Sequence, residues 1–264
     1  MKQKSFELSK EQKELLEKYK LSSNEKILIE KFIKKYAVSC YYIKKVNGKP
    51  NALDSSLGAV PYTPEDKDSQ ENLLIQINFE GIDLLGYPNK GIFQIFMGPA
   101  EEKSLTNDGG TNVMGYYYKI LTDKHRKNLS VSNNALSRGC FKIKLEEGWS
   151  MYPKIYDSFK TDEEKNLFED CEILKQLENK DFDFWEIIYD IFPTRSNIGG
   201  YSHSPQGQCG VPFSAEFEAK NAIMLFLSND IISWGDGGVF MFFYENIEKL
   251  GEEGSMIWLS GDMC

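Results

Sequence analysis

The sequence contains few histidines and cysteines, two residue types that often carry out chemistry. It has two histidines, His125 and His203, which lie far apart among its 264 residues. Its five cysteines are scattered, and they form neither a CxxC motif nor a Cys/His pair at zinc spacing. The sequence therefore predicts no catalytic cluster, no metal site and no cofactor.

Long apolar segments are also missing. The apolar runs fall well short of the ~18–20 residues that a helix needs to cross a bilayer. The opening residues, MKQKSFELSKEQK, contain no apolar core of a secretory signal. Scattered cysteines are typical of reduced thiols. We therefore expect a cytoplasmic protein that does not bind membranes.

Charge is plentiful but unevenly distributed. Residues 1–50 carry thirteen lysines and six acidic residues, a net charge of +7, whereas residues 51–264 carry a net charge of −16. The acidic body should repel nucleic acid and anionic lipid and attract a basic protein. This asymmetry predicts a basic protein partner and no nucleic-acid partner, although acidity can also serve solubility alone.

Residues 1–37 are predicted to form a helical extension. Capping boxes begin at Ser9 and Ser22. Behind the second, Ile29, Phe32 and Ile33 fall at helical spacing among lysines. Such a basic amphipathic helix can bind a membrane or an acidic partner. We favour the alternative in which it packs on the acidic body of its own chain.

Residues 38–264 are predicted to form one α+β domain, with a helical insertion at about 161–192. Thr161 starts a third capping box, and Pro193 ends the last helix of the insertion. Short runs rich in β-branched and aromatic residues, bounded by turn residues, indicate strands. These predicted strands are 38–43, 73–79, 92–97, 113–121, 140–145, 222–227, 239–244 and 256–259.

Three sequence blocks recur in the same order in the two halves of the chain. LGAVPYTP at 57–64 aligns with IGGYSHSP at 198–205, LLIQIN at 73–78 with MLFLSN at 224–229, and GIFQIFM at 91–97 with GVFMFFY at 238–244. The blocks predict mostly antiparallel β-sheets built as an internal duplication. The β-rich repeats would span about 55–121 and 196–245.

The SWGDGG segment before the last block is predicted to be a turn. Asp236 and Gly237 occupy the place that Asn89 and Lys90 hold in the first half. A phosphate-binding loop would need a following helix, and a calcium loop would need more oxygen ligands. Trp234 is expected to pack over the turn.

The blocks resemble those of the YwqG-like bacterial proteins, a domain family of unknown function. The residues that carry the resemblance are Gly58, Pro61, Leu74, Gln76, Ile77, Asn78, Gly199, Gly200, Tyr201, Gln206, Trp234, Gly235, Asp236 and Gly238. Ala59 and Phe226 depart from the family pattern, where a glycine and a glutamine would be expected. The resemblance spans about 57–243 and implies an α+β, largely antiparallel fold in the bacterial cytoplasm, without known catalytic residues.

Polar residues inside apolar strands are the best candidates for a site. Gln76, Asn78 and Gln94 interrupt such strands, and a buried glutamine without hydrogen bonds costs about 1–3 kcal/mol. They could form a structural network or line a ligand cleft between the repeats. The candidate ligand-binding residues are Gln76, Asn78, His203, Gln206, Trp234 and Asp236.

Catalysis has weaker support in the sequence. His203 lies near Cys209, which suggests a nucleophile and its base. However, Tyr62 holds the place of His203 in the first repeat, and the surrounding residues are typical of a loop. His125, in DKHRK, is expected to be solvated. Aromatic clusters at 116–118 and 240–244 fit core packing better than nucleobase stacking.

Two hypotheses about function follow. The first is a non-enzymatic, acidic protein-binding module, such as an immunity protein that neutralises a basic toxin. The second is a small-molecule-binding protein or hydrolase with a cleft between the repeats, which would use Gln76, His203, Gln206 and Asp236. No oligomeric state is predicted.

Overall fold

A computed structural model of the protein describes residues 6–68, 72–97, 111–126, 139–151, 176, 183–200, 223–232, 238–244 and 246–262. Within these residues, α-helices and one antiparallel sheet define an α+β fold. The helices are α1 (Lys10–Lys18), α2 (Ser23–Tyr36) and α3 (Phe184–Ile191), with a 3-10 helix at Ile247–Lys249. The strands are β1 (Val38–Val46), β2 (Ser56–Leu57), β3 (Leu73–Asn78), β4 (Ile92–Phe96), β5 (Thr111–Tyr118), β6 (Phe141–Ser150), β7 (Asn197–Ile198), β8 (Ile223–Leu227), β9 (Val239–Tyr244) and β10 (Ser255–Asp262).

The ten described strands close into a ring. Their order is β1-β6-β2-β3-β4-β5-β10-β9-β8-β7, and β1 pairs with both β6 and β7. Every pairing is antiparallel. All eight predicted strands are present; the bounds of 239–244 agree with those of β9, and the other seven differ at one or both ends. The two-residue strands β2 and β7, which complete the ring, were not predicted.

The pairing pattern has two equivalent halves. It is unchanged when β1 is exchanged with β6, β2 with β7, β3 with β8, β4 with β9 and β5 with β10. The residue-by-residue registers are also consistent with this exchange of strands. Under it, Lys44 of β1 changes places with its partner Lys144 of β6, and Val113 of β5 with its partner Ile257 of β10. In this register Ser56 of β2 corresponds to Asn197 of β7. Since Ser56 faces Gln76 and Asn197 faces Phe226, Gln76 corresponds to Phe226.

The interior of the ring is filled by apolar side chains from most of the strands. Alternate residues of each strand point inward. Examples with at most 2 % exposure are Leu57, Ile75, Ile95, Tyr117, Leu225, Phe240, Phe242 and Leu259. The aromatic residues Tyr116, Tyr117, Tyr118, Phe240 and Phe242 are all buried. They pack in the core, as predicted, and present no stacking surface for nucleobases.

Helices α1 and α2 pack against α3 through a second apolar cluster. Both helices begin with the predicted capping boxes, at Ser9 and Ser22. Phe32 of α2 is fully buried, and its ring lies 4.9 Å from that of Phe184. Polar contacts add to this packing: Tyr19 Oη donates to Asp190 Oδ2 at 2.6 Å.

Other predicted helical features lie partly outside the described residues. In the insertion at about 161–192, α3 begins at Phe184, with Asp183 as its N-cap, and ends at Ile191, two residues before Pro193. The capping box at Thr161 lies outside the described residues. Among the helices that are described, none has the length and apolar character required to cross a bilayer.

Candidate functional site

The candidate site is a polar network on the outer face of β3 and β4. Alternation along β3 points Gln76 away from Ile75 and Ile77, which face the interior. Gln76 is fully buried, and its cross-strand neighbour Gln94 is 1 % exposed. The outer face of this part of the ring is therefore covered, and the segment that covers it contains Tyr62.

Every hydrogen-bonding group of the Gln76 side chain is used within the protein. Its Oε1 accepts from the Tyr62 backbone N at 2.8 Å and from Gln94 Nε2 at 2.6 Å. Its Nε2 donates to the backbone oxygens of Ala52 and Asp54, both at 2.8 Å. An amide offers two donors and two acceptor sites. Gln76 therefore ties the segment before β2 and the segment after it to the sheet, as the structural-network hypothesis expected.

Asn78 makes the same kind of contact at the end of β3. Its Nδ2 donates to the Leu53 backbone oxygen at 2.8 Å, and its Oδ1 accepts from Glu80 N at 2.9 Å. Its backbone N donates to Ser55 Oγ at 2.9 Å. Asn78 thus holds the chain before β2 and starts the turn that follows β3.

Two buried polar atoms of this region have no partner within the described residues. They are Gln94 Oε1 and Ser56 Oγ, on side chains that are 1 % and 0 % exposed. Gln94 Nε2 donates to the Tyr62 backbone oxygen at 2.9 Å. Every side-chain hydrogen-bonding group of Gln76 therefore has a partner, whereas one side-chain oxygen of Gln94 and that of Ser56 have none among the described residues.

The other predicted site residues cannot be placed. His203, Gln206, Trp234 and Asp236 lie outside the described residues, as does Cys209. Their convergence with Gln76 in a cleft, and the pairing of His203 with Cys209, stay predictions. The predicted turn at Asp236 has the same status.

His125 differs from the expectation of a solvated turn. It is half-buried, it forms an isolated β-bridge with Pro64, and its ring lies 5.9 Å from that of Tyr62. Its Nδ1 is buried without a partner among the described residues. Tyr62 anchors the covering segment, so His125 packs against the cover of the polar network.

A carboxylate–hydroxyl cluster in the second half of the chain was not predicted from the sequence. Asp230 Oδ1 accepts from Ser196 Oγ at 2.6 Å and from Ser228 Oγ at 2.5 Å. Ser228 N donates to Ser196 Oγ at 2.8 Å, just as Asn78 N donates to Ser55 Oγ. An alignment of Ser55, before β2, with Ser196, before β7, would have indicated this shared contact of a serine hydroxyl with a backbone N. Both hydroxyls donate to the carboxylate, and the backbone N of Ile231 and of Ile232 donates to Ser228 O, so the cluster stabilises the turn that follows β8.

No metal centre is evident in the part of the chain that the structure describes. It contains no group of three or more His, Cys, Asp or Glu side chains placed to hold a metal ion. Cys40 and Cys140, which lie at equivalent places in the two halves, are both free thiols. Burial raises the pKa of Cys40 to about 12, against a smaller lowering effect of its hydrogen bond with Tyr42.

We expect Cys40 to resist alkylation in the folded protein. At pH 8 a thiol with a pKa near 12 has about a thousandth of the thiolate of an ordinary cysteine, and the thiolate is the nucleophile. Cys140 is half-buried, and its pKa is raised by burial and lowered by Lys49. Timed iodoacetamide labelling with peptide mapping should show Cys140 reacting at least about a hundredfold faster. Equal rates would contradict the burial of Cys40.

The fold and the network define a class of protein: an α+β domain built on a closed antiparallel sheet, with a buried polar network on the outer face of the ring. A family model described as "Domain of unknown function (DUF1963)" matches residues 47–249. The chain belongs to this family. The match covers β2 to β9 and includes both polar clusters. No sequence among curated proteins matched the chain.

Proposed function

We propose that the protein is a non-enzymatic protein-binding module whose acidic body binds a basic protein. The observation that carries this proposal is the net charge of −16 over residues 51–264. Complementary charge speeds association and selects partners. The side-chain hydrogen bonds of Gln76 and Asn78 to the protein's own backbone agree with a structural role for both residues.

The more specific form of the proposal is an immunity protein of the bacterial cytoplasm that neutralises a basic toxin. An inhibitor of this kind needs a rigid, charged surface and no catalytic group. The closed, filled ring supports such a surface, since its strands leave no free edge to rearrange. The resemblance to the YwqG-like bacterial proteins supports the bacterial cytoplasmic setting of this proposal.

We also propose that the domain arose by duplication of a five-strand unit. The exchange symmetry of the pairing supports this origin, and so do matched hydrogen bonds. Ile143 N donates to Ser55 O at 3.0 Å, and Ile43 N donates to Ser196 O at 2.9 Å. The units would be β1–β5 and β6–β10, longer than the repeats expected from sequence. In this arrangement the first strand of each unit lies beside strands of the other.

Affinity capture at two salt concentrations tests the protein-binding function. The full chain, immobilised, is expected to retain a basic protein from native lysate at about 50 mM salt and to release it at about 500 mM, because screening weakens charge complementarity. The captured protein, identified by mass spectrometry and purified, should then bind in calorimetry with the same salt dependence. Failure to retain any protein at either salt concentration, or retention of only acidic proteins, would refute the proposal.

A further inference from the structure

The loop that joins β1 to β2 contains the one Asn-Gly pair of the sequence, Asn47-Gly48. An asparagine side chain can be attacked by the backbone N of the residue that follows it, which closes a five-membered imide ring. The attack is fastest before glycine, because glycine has no Cβ to crowd the approach of the two groups. The pair is therefore a candidate for spontaneous covalent modification, and its surroundings decide whether the folded protein permits the reaction.

The surroundings of the pair leave both reacting groups accessible. Asn47 and Gly48 are exposed and follow directly after Val46, the last residue of β1. Gly48 has a φ of +118°, and no atom beyond its chain neighbours lies within 4 Å of a Cβ added to it. In the part of the chain that the structure describes, Gly48 N donates to no backbone oxygen. Gly48 N can therefore reach the Asn47 side chain without first breaking a backbone hydrogen bond to a described residue.

Other asparagines of the described chain are less suited to this reaction. The side chains of Asn78 and Asn197 are held by hydrogen bonds to backbone groups. Asn89 is exposed in a bend of the chain, as Asn47 is, but Lys90 follows it. The Cβ of a lysine restricts the backbone conformations in which the attack can occur. Asn89 is therefore a control within the same molecule, with similar exposure but a different following residue.

The loop that contains Asn47 is held at both ends. Before Asn47, Val46 pairs with Lys142 of β6. After it, the Ala52 backbone oxygen accepts a hydrogen bond from Gln76 Nε2 at 2.8 Å. Only residues 47–51 lie between these two attachments. An isoaspartate at position 47 would add one carbon to the main chain of this short segment, so it would disturb the contact between the loop and β3.

We propose that Asn47 is converted spontaneously to aspartate and isoaspartate, and that isoaspartate at this position weakens the attachment of the loop to β3. Gly48 N loses its proton to solvent base and attacks Asn47 Cγ; the N–Cγ bond forms, the Cγ–Nδ2 bond breaks, and ammonia leaves with a proton from solvent. Water then opens the imide at Cγ, which gives aspartate, or at the backbone carbonyl carbon, which gives isoaspartate. The reaction consumes water, releases ammonia and changes no oxidation state.

Incubation of the folded full chain tests the modification. Peptide mapping by mass spectrometry should show Asn47 reacting at least about tenfold faster than Asn89, because glycine follows only Asn47. The reaction at Asn47 should be at least about tenfold faster at about pH 8 than at about pH 6, since more of Gly48 N is deprotonated. Asn47→Gln keeps an exposed amide but has to close a larger ring, so labelling of its peptide by isoaspartyl methyltransferase should be lost. Equal rates at Asn47 and Asn89, or labelling that persists at position 47 in Asn47→Gln, would overturn the proposal.

Freshly prepared Asn47→Asp is the matched control for the effect on the loop. It carries the charge of the isoaspartate product but has an ordinary main chain. Wild-type protein enriched in isoaspartate by chromatography should therefore unfold at a lower urea concentration than Asn47→Asp. Incubated Asn47→Gln should unfold like fresh Asn47→Gln, which shows that the incubation itself does no other damage. Equal urea midpoints for the isoaspartate form and Asn47→Asp would contradict the proposed weakening of the loop.

Discussion

Replacing Gln76 with methionine should lower the free energy of unfolding by about 3–5 kcal/mol, a large part of the stability of a typical domain. Methionine matches glutamine in length but has no donor and only a weak acceptor. The substitution leaves the buried backbone N of Tyr62 and the partly buried backbone oxygens of Ala52 and Asp54 without their partner. Each such group costs about 1–3 kcal/mol. Urea unfolding followed by fluorescence measures the change.

Gln94→Met is the matched control, because it makes the same chemical change on the neighbouring strand. Gln94 donates to Tyr62 O and to Gln76 Oε1, but its own Oε1 has no partner among the described residues. Its loss removes that unsatisfied atom, so we expect a cost of only about 1 kcal/mol. Met241 occupies the equivalent place in the second half. Equal costs for the two substitutions would show that Gln76 does not hold the covering segment.

The sequence predicted the strands well because their apolar residues follow regular patterns. It could not predict β2 or β7, since two residues carry no periodicity. These strands matter more than their length suggests: β7 joins β8 to β1, and β2 joins β3 to β6. The ring closes only through them, so the topology could not be read from the longer strands alone.

The sequence repeat matched the pairing register in two of its three blocks. Leu57 corresponds to Ile198 and Gly91 to Gly238, as aligned. The middle block is shifted by one residue, and Gln76 corresponds to Phe226 where the alignment placed Leu227. The cause is an irregularity between Leu73 and Ile75, which adds a residue to β3. An ungapped comparison cannot detect such a bulge.

The position of the polar network could be predicted from the sequence, but the hydrogen-bond partners of Gln76 could not. Gln76 was recognisable because a glutamine inside an apolar strand must find partners when buried. Its partners, the backbone groups of Ala52 and Asp54, belong to a loop without any distinctive residue pattern. Sequence patterns mark the side chains that need hydrogen bonds, whereas the backbone groups that supply them are common to all residues.

Gly91→Ala should be the second strongly destabilising substitution, with a loss of about 2–5 kcal/mol. Gly91 has a φ of +88°, where an alanine is strained. A Cβ added there would also lie 2.5 Å from the backbone oxygen of Tyr118. That oxygen belongs to β5, which pairs with β4 directly after Gly91. The backbone of the ring would have to shift, since a main-chain atom cannot rotate away.

Gly86→Ala separates the two causes of this loss. Gly86 has nearly the same φ, +84°, but no atom lies within 4 Å of an added Cβ. The Gly86→Ala substitution should lower the free energy of unfolding only by the cost of the strained backbone conformation, about 1–2 kcal/mol. The difference between the two free energies of unfolding in urea then measures the steric conflict between the turn and β5. If both alanine variants lost the same stability, the contact of Gly91 with Tyr118 would have no role. A larger loss at Gly91 would instead show that the glycine before β4 is required by the close approach of two chain segments.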